Sequence, residues 1–532
     1  MLALVVAAML SPGEMPDESL IFAADALCVA LPRPDRGPRG AAASATAAND
    51  LLLSELRRRR QSLGLDAQDQ WQVDPACSSR DVPSIRLAVV TSGVASAEQS
   101  PCSSLLLGAG PESFSLCTVA LSPSAHAVEL HVVARGDRAL MLAVGRLLRE
   151  LEISSSGALV LPNGPLALSV EPPSFGRIRG HQLTDWGFYM TTASFEQFAK
   201  DLLIFGTNQV EFAHIDYSRG DAHKLVEWSA ILDKYDMRVS LFNPPFGSAA
   251  DQATTREIFA NMTRVDSFFQ EGPSAAAFPA LQQAVAALRE HHPQASAWVS
   301  PCGLDESALD AWFRSLASSA TQAWLTGVCY GPGVHISMVQ MVERLPPGYE
   351  LRQYPDISHS LAAMYPQPNW HRAWAFSHGR LAINPSPRRF GDIAVMNMNA
   401  TYSQRAIGFG AYSEGACDDL NKMLWSALYT EPKMTIDEFI TQYSRHFLPS
   451  TEPGGAQAAA ELLRSLERNW DGDALDNPAV NISLALAQEL EHNAVGRTGT
   501  AAASDQNWRL QAYLFRANYD GFVQVILSYR SS

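Results

Sequence analysis

Carboxylates and aromatic residues recur just after short apolar runs in the middle of the chain. Glu271 follows one run in FFQEG, Asp356 follows another in RQYPDISHS, and Glu414 follows a third in AYSEGACDD. Cleavage of a glycosidic bond needs one acid to protonate the leaving oxygen and a second group to stabilise or attack the anomeric carbon. These residues therefore predict carbohydrate hydrolysis, with Glu414 or Glu271 as the acid and Asp356 orienting the sugar or assisting.

Other residues at the predicted strand ends have side chains that suit sugar binding. Aromatic rings stack on the apolar faces of sugars and lose little rotamer entropy, and polar groups can bind hydroxyls. We expect substrate contacts from Arg179, His181, Glu211, Asn243, Trp298, Tyr330, Tyr354, His359 and Tyr412.

Metal and cofactor chemistry has little support in the sequence. Glu211, His214 and Asp216 resemble a metal cluster, but alternation along a strand turns Glu211 and His214 to opposite faces. The chain has no GxSxG elbow, Walker loop, HExxH motif or strand-following GxGxxG. The sequence therefore predicts neither a metal nor a cofactor.

Each candidate also has a structural interpretation. Glu271 precedes Gly-Pro and could belong to a loop or cap, and Asp356 follows a proline, as turn-forming aspartates do. Glu414 could interact with the N-terminus of the following helix. Trp298 and Tyr330 could pack in a core instead of binding a ligand. The sequence leaves these alternatives open.

The candidate residues need a scaffold that brings distant strand ends together. From Arg177 to about Leu424, apolar strand candidates alternate with helices or long loops. This alternation predicts an α/β fold, a (β/α)₈ TIM-type barrel whose strand C-termini surround one mouth. The strand candidates are Arg177–Gln182, Gln209–Ile215, Arg238–Asn243, Asp266–Gln270, Ala295–Ser300, Gly327–Tyr330, Glu350–Tyr354 and Ala406–Tyr412.

The pattern divides the chain into four parts. Residues 1–19 are a weak signal-peptide candidate, because no Lys or Arg precedes the apolar stretch. We predict a small α/β domain over 20–170, the TIM-barrel catalytic domain over 171–430, and a helical region over 431–532. Within the first domain, strands are expected at Pro83–Val90, Phe114–Leu121 and Val128–Ala134, and a helix at Asp137–Leu151.

The composition fits a globular protein with a large core. Of the 532 residues, 47% are apolar and 18% charged, and the net charge of −15 disfavours binding to a phosphate backbone. No stretch is long and apolar enough to span a bilayer. We expect the protein to bind a carbohydrate substrate and neither nucleic acid nor a membrane. We expect it to be exported if the signal-peptide candidate functions and cytoplasmic otherwise. The oligomeric state stays open.

The seven cysteines are scattered and contain no CxxC pair. This spacing disfavours a zinc ribbon or a thioredoxin-type site, and the odd number argues against a full disulfide framework. Cys77 could pair with Cys102 or Cys117 if the protein is exported.

Several segments resemble known carbohydrate-active enzymes. AVGRLLREL (Ala143–Leu151) followed by RGHQL (Arg179–Leu183) resembles the junction in α-glucuronidases and β-N-acetylhexosaminidases, which join a small N-terminal α/β domain to a catalytic barrel. FGTNQVEF resembles their second barrel strand. YPDISHS, INPSP and YSEGACDDLNK resemble a largely uncharacterised bacterial group of glycoside-hydrolase-like proteins with that architecture. The resemblance covers about residues 20 to 530 and implies hydrolysis of a hexosaminide or uronide.

One segment departs from this resemblance. Hexosaminidases of the substrate-assisted type carry an adjacent Asp-Glu or Asp-Asp pair after the fourth strand, whereas this chain has QEGPSA with Glu271 alone. The departure argues against an acetamido-assisted mechanism. Two alternatives therefore stay open: a non-catalytic glycan-binding protein on a degenerate barrel, and an unrelated, metal-dependent barrel hydrolase.

Overall fold

The computed structural model describes most of the chain. The described residues are 20–22, 27–30, 40–65, 71–72, 84–89, 102, 106, 109–120, 128–184, 189–213, 215, 221–358, 383–400, 405–413, 415–450, 454–469, 475–498 and 507–531. Cys77, His214, Asp216, His359 and Glu414 lie outside them.

The N-terminal part is built on a six-stranded sheet in the order β3-β2-β4-β6-β5-β9, beside a three-stranded sheet in the order β1-β8-β7. Helix α2 is buried along almost its whole length, because it packs against α1, β6 and two helices from later in the chain. The elements are β1 (Leu20–Phe22), β2 (Leu27–Ala30), α1 (Gly40–Ser62), β3 (Trp71–Gln72), β4 (Ser84–Val89), β5 (Phe114–Ala120), β6 (Val128–Ala134), α2 (Asp137–Glu150), β7 (Glu152–Ile153), β8 (Leu159–Leu161) and β9 (Ala167–Val170).

A closed barrel of eight parallel strands follows. Consecutive strands pair in order, and the first strand pairs with the last, which closes the ring. One further short strand, β17, pairs with the last barrel strand. The barrel strands are β10 (Ile178–Leu183), β11 (Gln209–Phe212), β12 (Arg238–Phe242), β13 (Ser267–Glu271), β14 (Ser296–Ser300), β15 (Gly327–Tyr330), β16 (Glu350–Gln353) and β18 (Ala406–Ser413), and β17 is Asp356–Ser358.

Helices surround the barrel, and their starts follow from local sequence. Ser248, Ser337 and Thr435 each begin a helix with a capping box, in which two backbone donors are satisfied reciprocally. The helices in and around the barrel are α3 (Thr192–Ile204), α4 (Asp221–Lys234), α5 (Ala249–Asn261), α6 (Phe278–His291), α7 (Glu306–Leu316), α8 (Ser319–Gln322), α9 (Met338–Arg344), α10 (Pro387–Asn399) and α11 (Asp419–Thr430).

Among the described residues after α11, four helices complete the C-terminal part and pack against one another and against α10. They are α12 (Ile436–Phe447), α13 (Gly455–Arg468), α14 (Pro478–Thr498) and α15 (Trp508–Ser531). No helix in the described part of the chain combines the length and apolar character needed to cross a membrane.

The structure confirms the predicted fold class and all eight barrel strands, with no end shifted by more than three residues. It corrects the cysteine pairing, because Cys102 and Cys117 form a disulfide with each other rather than with Cys77. The sequence also gave no indication of α10, which lies in the aromatic-rich insertion before the last barrel strand.

A buried ion pair joins the N-terminal part to the barrel. The Arg179 guanidinium on β10 donates to Glu112 at 2.7 Å, to the Gly206 carbonyl at 2.5 Å and to the Gly176 carbonyl. Burial alone would raise the pKa of Glu112, but Arg179 and Arg138 outweigh it and hold that pKa below its ordinary value. The carboxylate therefore stabilises the folded protein in its charged form.

We expect Glu112→Gln to lower the free energy of unfolding by about 3 kcal/mol near neutral pH, because it leaves the buried Arg179 charge without its partner. Since the folded pKa of Glu112 is depressed, its contribution is complete above the unfolded value near 4.5 and is lost as pH falls below it. Urea unfolding should thus show the difference from wild type shrinking at acid pH. Asp310→Asn, in an exposed ion pair with Arg344, is the control and should change little. Equal losses in both variants would contradict this role for Glu112.

Candidate functional site

An ion pair occupies the interior of the barrel. Glu211 on β11 and Arg352 on β16 are bound to each other, with side chains 0% and 1% exposed. Gln209 donates a further hydrogen bond to Glu211 at 2.8 Å. A Cβ at Gly410 would overlap the Glu211 carboxylate, so the glycine on β18 provides the space for it. Glu211 was expected to contact substrate, but the structure places it in this interior pair.

Aromatic rings and a thiol surround the other end of this pair. The Arg352 guanidinium lies 5.0 Å from the Phe269 ring centroid and 5.2 Å from that of Trp298. Its Nε donates to Cys329 Sγ at 2.8 Å. Trp298 is 1% exposed and donates its indole N–H to Ser296. Trp298 is therefore a core residue beneath the mouth, and the structural interpretation fits it better than a sugar platform.

Tyr354 lies directly after β16 and links this interior to the mouth. Its hydroxyl donates to Gln182 Oε1 at 3.1 Å, and its ring packs edge-on against Phe269. Burial raises the pKa of Tyr354 well above its ordinary value, and the negative charges of Glu271, Glu211 and Asp356 raise it further. The Tyr354 hydroxyl is therefore neutral and can donate the hydrogen bond to Gln182.

Glu271 is held at the end of β13 by its neighbour strands. Its backbone N–H donates to Asn243 Oδ1 at 2.7 Å, and Asn243 itself has a left-handed φ of 46°. The following residue, Gly272, has φ of 62° and donates to the Ser300 carbonyl at 2.9 Å. Asn243 was expected to bind substrate; the contact seen here is with the backbone that carries Glu271.

A free thiol lies beside Glu271. Cys302 shares a hydrogen bond with the Glu271 side chain, and half-burial together with that negative charge raises the pKa of the thiol to about 12. A Cβ at Gly333 would lie 2.7 Å from Cys302 Sγ, so this glycine allows the thiol its position. Cys302 was not predicted from the sequence, since a single cysteine after a strand carries no spacing signal.

Asp356 lies on the opposite side of the same rim. It belongs to β17, is 2% exposed and pairs in register with Tyr412 on β18. Tyr412 is half-buried and packs against the aromatic interior of the barrel. Glu414 follows β18 directly in sequence, and both Glu414 and His359 lie outside the described residues.

Two predicted contacts do not lie at the mouth. His181 points outward from β10, where its Nε2 lies 2.9 Å from Ser426 Oγ on α11. Burial and the nearby Lys422 lower the pKa of His181 well below its ordinary value, so the ring is neutral. Arg179, two residues earlier on the same face, forms the ion pair with Glu112. Both side chains bind the surrounding protein, because alternation along the strand turns them away from the barrel interior.

Tyr330 ends β15, and its hydroxyl donates to the Ile336 carbonyl at 3.1 Å. This bond fixes the loop that follows the strand. The ring is half-buried at the rim, where it can serve both the loop and a ligand.

Three buried polar atoms near the mouth were missed by the sequence interpretation. Gln182 Nε2, Ser300 Oγ and Ser413 Oγ are buried and have no hydrogen-bond partner among the described residues. Gln182 binds Tyr354 through its other amide atom, and Ser300 pairs in register with Glu271. Such atoms suit the hydroxyls of a polyol ligand.

No group of three or more His, Cys, Asp or Glu side chains within the described ranges has the arrangement of a metal site. A cleft of about 1080 Å³ lies away from the mouth, between α2, α10, α12 and α13. Arginines that are mostly paired with acids line this cleft, including Arg146, Arg445 and Arg464.

The closed (β/α)₈ barrel defines the class of the protein. Neither a protein-family sequence profile nor a curated protein sequence matches the chain. Among solved structures it is similar to CpGH84B (10% identity, 98% of this chain and 93% of that chain, TM-score 0.45). It is also similar to a GH20 exo-β-N-acetylglucosaminidase from Vibrio harveyi (11% identity, 81% of this chain and 75% of that chain, TM-score 0.49). A third similar structure is Flavobacterium johnsoniae chitobiase (12% identity, 97% of this chain and 92% of that chain, TM-score 0.43). All three scores lie below 0.5, so the function rests on the residues of this chain.

We expect Glu211→Gln and Arg352→Met each to lower the free energy of unfolding by about 3–5 kcal/mol, because each leaves one buried charge unpaired. The double variant should lose clearly less than the two single losses added together. Urea unfolding of the four proteins measures this coupling. Additive losses would show that the two side chains do not interact.

We expect Glu271→Gln to speed alkylation of Cys302 by iodoacetamide at pH 8 by about 3- to 10-fold, because removing the carboxylate charge lowers the thiol pKa and the thiolate is the nucleophile. Peptide mapping by mass spectrometry gives the rate. Glu257→Gln, on the exposed side of α5, is the control and should leave the rate unchanged. An unchanged rate in Glu271→Gln would contradict the contact between the two side chains.

Proposed function

We propose that the protein hydrolyses a glycosidic bond at the mouth of the barrel, with Glu271, Asp356 and Glu414 as the carboxylates that carry the reaction. The observation that carries this proposal is that Glu271 ends β13 and Asp356 begins β17, which pairs with β18, so both lie at the C-terminal end of the barrel although they are 85 positions apart in the sequence. Glu414 comes directly after Ser413, the last residue of β18, in the sequence.

We assign a different role to each carboxylate from its surroundings. Glu271 is half-buried at the end of β13 beside the Cys302 thiol, and we assign it as a candidate general acid for the leaving oxygen. Glu414 is the alternative acid. Asp356 is buried beside Tyr354 and Tyr412, where its carboxylate can orient the sugar or stabilise positive charge at the anomeric carbon.

The polar and aromatic groups around the rim suit a sugar. Tyr412 and Tyr330 offer partly exposed rings, and the neutral Tyr354 hydroxyl lies beside the Gln182 amide. Ser300 and Ser413 provide further hydroxyls. The substrate class that we infer is a hexosaminide or a uronide, since both carry polar substituents that such groups can bind.

The reaction is tested with a panel of aryl glycosides that includes β-N-acetylglucosaminide and glucuronide. We expect at least one of these glycosides to be cleaved. The kcat values of Glu414→Gln, Glu271→Gln and Asp356→Asn are then compared with that of wild type on the cleaved substrate. Loss of the general acid should lower kcat by about 10²-fold or more. Glu257→Gln is the matched control and should keep wild-type kcat.

Two results would overturn the proposal. Full activity in all three carboxylate variants would remove the mouth as the catalytic site. A panel with no cleavage, together with calorimetric binding of the free sugars, would favour the glycan-binding alternative. For an active enzyme, proton NMR of the first product shows whether the anomeric configuration is retained or inverted. Retention implies that the two catalytic carboxyl groups lie about 5–5.5 Å apart, and inversion implies about 6.5–9.5 Å.

A further inference from the structure

The last helix, α15, is fixed in rotation by its inner face. Arg509 donates to Asp419 at 2.7 and 2.8 Å and lies 2.9 Å from Asp201. The Tyr513 hydroxyl lies 2.9 Å from that of Tyr443, and the buried Arg516 binds the Ile383 carbonyl at 3.0 Å. The helix cannot turn without breaking these buried polar contacts, so its outer face is fixed as well.

The outer face of α15 carries a stripe of large apolar side chains. Trp508, Phe515, Phe522 and Tyr529 follow one another at intervals of seven residues, and Val525 lies three residues after Phe522. Their exposures are 45%, 55%, 61%, 81% and 53%, respectively. A seven-residue interval places side chains along one line of a helix, and a three-residue step places Val525 beside that line. We call these five residues the α15 stripe.

The stripe is large enough for a specific interface. From these exposures and a full surface of roughly 150–250 Å² for an aromatic side chain, it leaves roughly 600 Å² of mostly apolar surface open to solvent. A monomeric protein seldom exposes a larger patch than this. Two such stripes packed together would bury roughly 1,200 Å², the lower end of the range for specific protein interfaces.

The order of residues along the stripe is self-complementary. The midpoint between Phe515 and Phe522 falls between residues 518 and 519, and so does the midpoint between Trp508 and Tyr529. An antiparallel copy of the helix would therefore place ring against ring along the whole stripe. Such a match is what a two-fold interface requires, because the same patch must fit itself.

A membrane surface is a poorer fit to the same stripe. Helices that lie on membranes carry exposed Lys and Arg opposite their apolar face. Of the three basic residues of α15, Arg509 and Arg516 are buried in ion pairs and the third is Arg530 near the end of the helix, and the chain as a whole has a net charge of −15. We propose that the α15 stripe binds the α15 stripe of a second copy of this chain, in an antiparallel homodimer.

The test is the mass in solution, by light scattering and sedimentation across the micromolar range. We expect wild type to show a concentration-dependent dimer. Phe515→Glu/Phe522→Glu should raise the dissociation constant at least about 30-fold, the loss expected from one hot-spot residue. Both side chains are exposed, so circular dichroism and the melting temperature of the monomer should stay unchanged. Val339→Glu, a 51% exposed apolar residue on α9, is the matched control and should remain dimeric.

The geometry is tested by cysteine cross-linking of the full chain. Asn518→Cys should give a disulfide-linked dimer under mild oxidation, because residue 518 lies near the two-fold axis. Tyr529→Cys should give none, since in an antiparallel pair it lies opposite residue 508. A wild-type protein that is monomeric throughout, a Phe515→Glu/Phe522→Glu variant that still dimerises, or cross-linking through Tyr529→Cys would each overturn the proposal. A monomer that sediments with anionic phospholipid vesicles would assign the stripe to a membrane instead.

Discussion

The ion pair between Glu211 and Arg352 is the interaction on which the centre of the barrel depends. Two charges taken out of water are tolerated only when each satisfies the other. They come from the second and the seventh barrel strands, so the pair reaches across the interior and restrains two distant walls. A glycine on β18 gives the carboxylate its space, and aromatic rings lie over the guanidinium.

The mouth takes its arrangement from this centre. Phe269 and Trp298 lie over Arg352, Tyr354 packs on Phe269, and the Tyr354 hydroxyl meets Gln182. Glu271 and Asp356 lie at the same end of the barrel, and Asn243 fixes the backbone of Glu271 from the neighbouring strand. The proposed reaction thus uses Glu271 and Asp356 on strands β13 and β17, and strands of a barrel hold reacting groups in register.

The sequence predicted the barrel well because eight apolar runs, alternating with helices, leave few other topologies. For the same reason it predicted that Glu271 lies at the end of the fourth strand and Asp356 just after the seventh, and their part in catalysis stays a prediction. It could not tell which face Arg179 and His181 occupy, because parallel strands are buried on both sides and show no alternation. It also gave no sign that Glu211 would pair with Arg352, 141 positions away, or that the Cys302 thiol would bind Glu271. Such contacts between distant residues form only when the barrel closes, so no local sequence pattern indicates them.

The most direct test of glycoside hydrolysis at the mouth is a crystal structure of the full chain soaked with N-acetylglucosamine and, separately, with glucuronic acid. The account predicts electron density for a sugar ring at the C-terminal ends of the strands, with a hydroxyl or ring oxygen within hydrogen-bond distance of Glu271 or Asp356 and the ring near Tyr412. A sugar bound instead in the arginine-lined cleft between α2, α10, α12 and α13, with the mouth occupied only by water, would contradict it.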